Sequence, residues 1–252
     1  MRRELSEKEI LDTVRDIRHE APGIGAYKLY LMLKELYPDG MRGRDWFYGL
    51  MHESHLMLKL GKRRHTTSSN HPYRKYKNMI KGLTVNRINQ LWVADITYID
   101  TDEGVAYLHL LTDAFTHEII GWVLSDSLVA SNTVTALEMG ISHVSPLGFD
   151  GLIHHSDRGV QYCCNQYIDR LQAIKATISM TEYYKPTDNA IAERVNGIIK
   201  QEWLYRMKRP PDVVVARDLL GRIIGFYNNR RPQRSNRDML PPVRFREALT
   251  CM

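Results

Sequence analysis

The chain has 252 residues, 43% of them apolar and 25% charged, which is enough for one large domain or two modest ones and is the balance of an ordinary globular protein. No stretch approaches the eighteen or more uninterrupted apolar residues of a membrane span, and the charged start Met-Arg-Arg-Glu-Leu-Ser-Glu-Lys has no apolar core behind it of the kind a secretory signal needs. Three cysteines, two of them adjacent at Cys163 and Cys164, support neither a disulfide framework nor a zinc knuckle, so the expected compartment is the cytoplasm, with no membrane partner.

The net charge of +6 is segregated along the chain: +8 over residues 1–88, −10 over 89–193 and +8 over 194–252. Basic flanks around an acidic centre suggest a grip on phosphates to either side of a cation site. Solvated faces of opposite charge are the competing explanation.

Residues 1–60 read as three short helices. Ser6 with Glu9 forms a capping box, and Ile10, Val14 and Ile17 follow at helical spacing. Pro22-Gly23-Ile24-Gly25 breaks that helix, and a second runs from about Ala26 to Leu36. After the turn Pro38-Asp39-Gly40, a third runs from about Arg44 to His55. A basic, Trp-containing third helix fits a helix-turn-helix domain, with Arg42 and Arg44 as candidate DNA contacts; a small helical bundle of another kind fits as well. Residues 61–88 are read as a basic linker lying along phosphates, and its first part, 61–81, rich in Lys and Arg including Lys62, Arg63 and Arg64, is expected not to pack.

From Asn89 the period switches to two. Strands are expected at Leu91–Asp100, Val105–Thr112 and Glu118–Leu124, and short ones at Gly151–His155 and Ala176–Met180. Helices are expected at Asn132–His143, Gln166–Ala173, Asn189–Tyr205 (capped by Asp188) and Asp212–Asn228, before a basic tail. The order β-β-β-α-β-α-β-α predicts an α/β layer fold on a mixed five-stranded sheet, and there is no glycine-rich phosphate loop.

Three carboxylates stand out. Asp95 sits mid-strand among apolar neighbours, where burial is costly unless a cation or donors meet it. Asp157 follows the fourth strand in His154-His155-Ser156-Asp157-Arg158-Gly159, and Glu193 lies on a helix face shared with Asn196, Gly197 and Lys200. Alone, Asp95 reads as well as a structural Asp satisfied by backbone amides, and Asp157 and Glu193 read better as a turn residue and an ordinary acid on a solvated helix face. Adjacent His154 and His155 point to opposite faces of a strand and make a poor chelate. Taken together, three hard oxygen donors with no thiolate select Mg2+ or Mn2+, and two such ions about 3.5–4 Å apart are a known clamp for displacement at phosphate.

Trp92-x-x-Asp95-x-Thr97, then His155-Ser156-Asp157-Arg158-Gly159-x-Gln161-Tyr162, then Asp188-Asn189-Ala190-x-x-Glu193 with Lys200 two turns on, resemble the DDE transposase and retroviral-integrase core. The 35 residues between Asp157 and Glu193 match the spacing of its Asp-35-Glu variant. Ile24-Gly25-Ala26-Tyr27 and Tyr227-Asn228-x-x-Arg231-Pro232 extend the similarity to second-reading-frame transposases of the insertion-sequence-three family. The resemblance implies an RNase H-like catalytic core over 89–208, with a C-terminal helix and basic tail over 209–252. It implies Asp95, Asp157 and Glu193 as catalytic metal ligands for two Mg2+ or Mn2+ ions, with Lys200 on the DNA end.

The implied reaction frees a 3′-OH at element ends and transfers that strand to a target phosphodiester. The implied partners are double-stranded DNA, both terminal repeats and target, further copies of the chain on DNA, and an upstream-frame helix-turn-helix protein or fused segment. Asp113 is assigned a structural or supporting duty, and Cys163 and Cys164 are read as packing residues. A catalytically silent DNA-end-binding protein is the alternative, and intact acids together with Lys200 speak against it. A nuclease that cuts without strand transfer is a third reading, against which the separate helix-turn-helix speaks.

Overall fold

A computed structural model of the chain describes residues 5–58, 72–144, 148–182 and 189–250. Strands β1 (Leu91–Thr101), β2 (Gly104–Asp113), β3 (Ile119–Ser125), β4 (Ile153–Ser156) and β5 (Thr177–Met180) form one sheet in the order β3-β2-β1-β4-β5. β1, β2 and β3 pair antiparallel because tight connections join them, Asp102 and Glu103 making the first. β1–β4 and β4–β5 pair in parallel, which demands crossovers. These are α4 (Ala130–Val144), and a single turn α5 (Val160–Cys163) followed by α6 (Asn165–Ala173). This is the expected mixed α/β sheet, with the connectivity of the RNase H-like fold.

Alternation along β1 sends Trp92 and Ala94 to one face and Leu91, Val93 and Ile99 to the other, as its sequence predicts. The first face packs on α4 and α6 through Leu137, Ile141, Tyr167 and Leu171. The second packs on α7 (Ala190–Glu202) and α8 (Val213–Asn229) through Val195, Ile199, Leu220 and Ile224. α4 lies unusually close to the sheet because β3 presents Gly121 to it: a Cβ there would stand 2.0 Å from the Ala136 carbonyl oxygen. Backbone cannot yield as a flexible side chain does. Gly121→Ala should therefore destabilise the fold by about 3 kcal/mol or more, and an unfolding temperature equal to wild type would contradict this packing.

The N-terminal helices α1 (Glu7–Glu20), α2 (Ala26–Leu36) and α3 (Arg44–Glu53) form where expected. Ser6 Oγ accepts from the Glu9 N–H at 3.3 Å, and Glu9 Oε2 accepts from the Ser6 N–H at 2.9 Å, completing the predicted capping box. Their apolar faces share one cluster with α7, α8 and the sheet. Gly23 makes the closest approach: its N–H donates to the Glu202 carbonyl at 2.7 Å, and a Cβ would meet Glu202 Cα at 2.4 Å. The Trp203 indole donates to the Glu20 carbonyl at 2.8 Å.

Two segments differ from expectation. The linker stretch, expected not to pack over 61–81, is seated over its second half. The Met79 N–H donates to Ser179 Oγ at 2.8 Å, Lys77 accepts from Met180, and Ile80, Leu83 and Val85 pack on the sheet. This segment covers the β5 edge, whose unpaired backbone groups would otherwise template foreign pairing. Lys62, Arg63, Arg64 and Asp188 lie outside the described residues.

The basic tail contains a further helix, α9 (Pro242–Thr250), entered at a proline that suits a first helical turn. Its Arg246 is buried and donates to Glu118 at 2.5 Å, an acid that also meets His143 at 2.6 Å. The signature residues before it are structural. Asn228 holds both the N–H and the carbonyl of Ile119, and Tyr227 donates to the His117 carbonyl at 3.0 Å. Among the described residues no helix is long and apolar enough to cross a membrane.

Candidate active site

The parallel pairing of β1 with β4 brings two of the three acids together. Val93 stands opposite His155, and continuing that register sets Asp95 beside Asp157, at the point where β4 ends and β1 runs on. Asp95 meets α7 through Asn196, and Asp157, just beyond the end of β4, acts on it by charge. The third acid, Glu193, lies exposed in the first turn of α7.

Asp95 is only partly accessible. Its carboxyl is pushed up to about 7, first by burial, then by the charge of Asp157, with Glu193 adding to the effect. The Asn196 amide opposes this, donating from Nδ2 to Asp95 Oδ2 at 2.7 Å. Asp157 is held by its own turn, with Oδ1 accepting the Gly159 N–H at 2.9 Å.

Lys200 belongs to the same field. Burial lowers its pKa, and the charges of Asp100 and Asp95 oppose that shift. Gly197 has open space where a side chain would project, so the α7 face stays low as expected.

Among the described residues no group of three or more His, Cys, Asp and Glu side chains is gathered closely enough to hold a metal ion. The three acids share an electrostatic field without closing around one point. Asn196 Oδ1, Asn189 Oδ1 and the Tyr162 hydroxyl are all buried without a hydrogen-bond partner among the described residues.

The two asparagines are held by their other amide atom. Asn189 donates from Nδ2 to the Ala94 carbonyl at 3.0 Å, Asn196 binds Asp95, and the Tyr162 phenol feels both Asp95 and Asp157. Buried polar groups in folded proteins are almost always satisfied, so these three atoms are places where an added partner such as a hydrated cation could be met. Oxygen donors without thiolate suit Mg2+ or Mn2+.

The remaining candidates lie elsewhere. Arg44 pairs with Asp45 at 3.0 Å, and the Arg42 guanidinium stacks 4.7 Å over the Trp46 ring, both at the start of α3. Asp113 has the structural duty expected of it. It is fully buried and accepts from the N–H groups of Asn89, Phe115 and Thr116 and from the Thr116 hydroxyl, at 2.8–3.1 Å. His154 and His155 are core residues bonded to the Tyr167 hydroxyl and Ser179 Oγ.

The sequence did not assign roles to Asn196, Asn189 and Tyr162. The first had a usable signal, since it sits one turn beyond Glu193 on the same helix face. The other two lie within the quoted motifs but carried no separate signal.

Residues 85–186 match the family model described as Integrase core domain, and residues 174–242 match a second model of that description. The chain is 33% identical over 163 residues to a protein named as transposase for insertion sequence element IS986/IS6110 of Mycobacterium tuberculosis (strain CDC 1551 / Oshkosh). That match covers 64% of this chain and 58% of the relative, so the chain spans less than two thirds of that protein's length. It is 30% identical over 237 residues, 89% of each chain, to the transposase for insertion sequence element IS904 of Lactococcus lactis subsp. lactis (strain IL1403).

Among solved structures, the HTLV-2 integrase catalytic core domain in complex with magnesium is similar with a TM-score of 0.48 and 16% identity, over 69% of this chain and 99% of that one. The chain belongs to the DDE transposases with an integrase-like core, in the insertion-sequence-three family.

Proposed function

We propose that this chain cleaves the DNA ends of its own insertion sequence to free a 3′-OH and joins that strand to a target phosphodiester. The observation that carries the reading is the half-buried Asp95 carboxyl, whose pKa is raised by burial and by the charges of Asp157 and Glu193 while the Asn196 amide binds one of its oxygens. Asp95, Asp157 and Glu193 would hold divalent metal, two Mg2+ or Mn2+ ions in the reading proposed here. When bound, those ions would neutralise the developing phosphate charge and activate the attacking oxygen.

The chain's own contribution is positioning. Asn196 orients the Asp95 carboxylate, the Gly159 amide orients that of Asp157, and α7 sets Glu193 and Lys200 along one low face. No side chain serves as nucleophile. The attacking oxygen comes first from water and then from the freed 3′-OH, both in-line displacements.

Lys200 would contact the DNA end, Arg42 and Arg44 the terminal repeat from residues 1–60, and Lys62, Arg63 and Arg64 phosphates beside it. We assign residues 61–88 to the linker, 89–208 to the catalytic core and 209–252 to the C-terminal part. Acting on two ends and a target calls for at least two copies of the chain on DNA, with an upstream-frame segment as a further partner.

The test is nicking and strand joining on the element's terminal DNA with Mg2+ or Mn2+, wild type beside Glu193→Gln. Metal-dependent nicking and joined products, both lost in the variant, are expected. Tight end binding without either activity would overturn the reading in favour of a silent end-binding protein.

A further inference from the structure

Tyr162 is an anomaly that the proposed chemistry leaves unused. It occupies the single turn α5, directly after the Asp157 loop, and is 1% exposed. Its ring is locked by edge-on contact with Tyr167, centroids 5.5 Å apart, within the cluster that contains Trp92 and Ala94. Its backbone N–H donates to Gly159 at 3.0 Å.

Gly159 measures how close the ring and the acid are. A Cβ there would stand 3.0 Å from Asp157 Oδ1 and 3.7 Å from Tyr162 Cδ2, so carboxylate and ring flank the same glycine. Yet among the described residues the Tyr162 hydroxyl has no hydrogen-bond partner.

A phenylalanine would fill the same apolar slot without burying an unmet hydroxyl. The hydroxyl is therefore a cost to the cation-free fold unless it gains a partner in another state. Across Gly159 from its ring lies the Asp157 carboxylate, acceptor-only when ionised, and a cation held there would bring its own water.

We propose that Tyr162 is a positioning residue of the carboxylate site, its hydroxyl donating a hydrogen bond to the acid pair or to cation-bound water once a divalent ion is in place. Outer partners of this kind fix ligand orientation and typically change metal affinity by about 10- to 100-fold. The inference rests on the reading of Asp95, Asp157 and Glu193 as a metal site.

The test uses the full chain and two measurements: Mn2+ titration followed by the electron paramagnetic resonance signal of the free ion, and thermal unfolding in EDTA. The proteins are wild type, Tyr162→Phe and Asp157→Asn. Tyr162→Phe should weaken Mn2+ binding by about 10- to 100-fold while unfolding in EDTA at the wild-type temperature or above. A merely structural hydroxyl would show the reverse, a lower unfolding temperature with unchanged Mn2+ affinity, and would overturn the inference.

If wild type binds Mn2+, Asp157→Asn does not, and Tyr162→Phe matches wild type, only the role of Tyr162 falls. If wild type binds no Mn2+, the metal-site reading falls and that of Tyr162 with it.

Discussion

Asp157→Asn should abolish cleavage of the element's DNA ends, by about 10^3-fold or more, while the cation-free protein becomes more stable than wild type. The two effects have one source. Asp157 is the largest charge raising the Asp95 carboxyl, so removing it relieves like-charge repulsion in the fold. The substitution keeps the local turn, because an asparagine oxygen can still accept the Gly159 N–H now bound at 2.9 Å.

It leaves every basic residue in place, so binding to terminal DNA should stay near wild type. Gel-shift affinity, end cleavage and unfolding in EDTA, measured on one preparation, separate the contributions. Equal loss of binding and cleavage would contradict the role given to Asp157. A drop in unfolding temperature would contradict the repulsion.

Glu202→Gln should destabilise the protein by about 3–5 kcal/mol near neutral pH. The Glu202 carboxylate takes Lys28 at 2.7 Å on one oxygen and receives Arg231 through two bonds of 2.8 Å, with Arg231 itself only 3% exposed. Burial pushes the acid's pKa up, but the two cations outweigh it and hold it below the usual carboxylate range. Lys28 is pushed down to about 8, by burial first and then by Arg231, so it too depends on Glu202.

A glutamine leaves two cations facing each other in a poorly solvated junction between α2, the end of α7 and the segment after α8. Because the folded pKa of Glu202 is lowered, its stabilisation is present above the unfolded value and is lost as pH falls through the folded one. The gap between wild type and variant should therefore be full at pH 7 and narrow as the solution is acidified below the carboxylate range. Denaturant unfolding at several pH values reads it directly, and a gap that did not change with pH would rule out this account. The same junction carries Glu193 on its helix, so loosening it should also lower cleavage.

The helices and strands were legible because their causes are local. The Ser6–Glu9 capping box, the period of two along Leu91–Thr101 and the apolar stripe of α7 each depend on residues a few positions apart. Helix α9 was missed because its stabilising partner is distant: Arg246 in a polar stretch is helical and buried on account of Glu118, 128 residues earlier. The segment at 77–85 was misread for the same reason, since its packing depends on the exposed edge of β5, a surface that local composition does not reveal.

By itself the sequence determined which residue types were available for chemistry, three hard carboxylates and a lysine with no chelating histidine or thiolate, and the order and spacing in which they occur. It also determined the family, because those spacings occur as an ordered set. Only the tertiary structure decided that Asp95 and Asp157 come within each other's field, since a parallel pair of strands is brought together by a crossover and not by adjacency in the chain. Only it decided that Asn196 reaches back across 101 residues to Asp95, and that the Tyr162 ring and the Asp157 carboxylate flank one glycine. The physical reason is range: side-chain periodicity and capping act over one or two turns, whereas burial, desolvation and like-charge repulsion are properties of a place that distant segments make together.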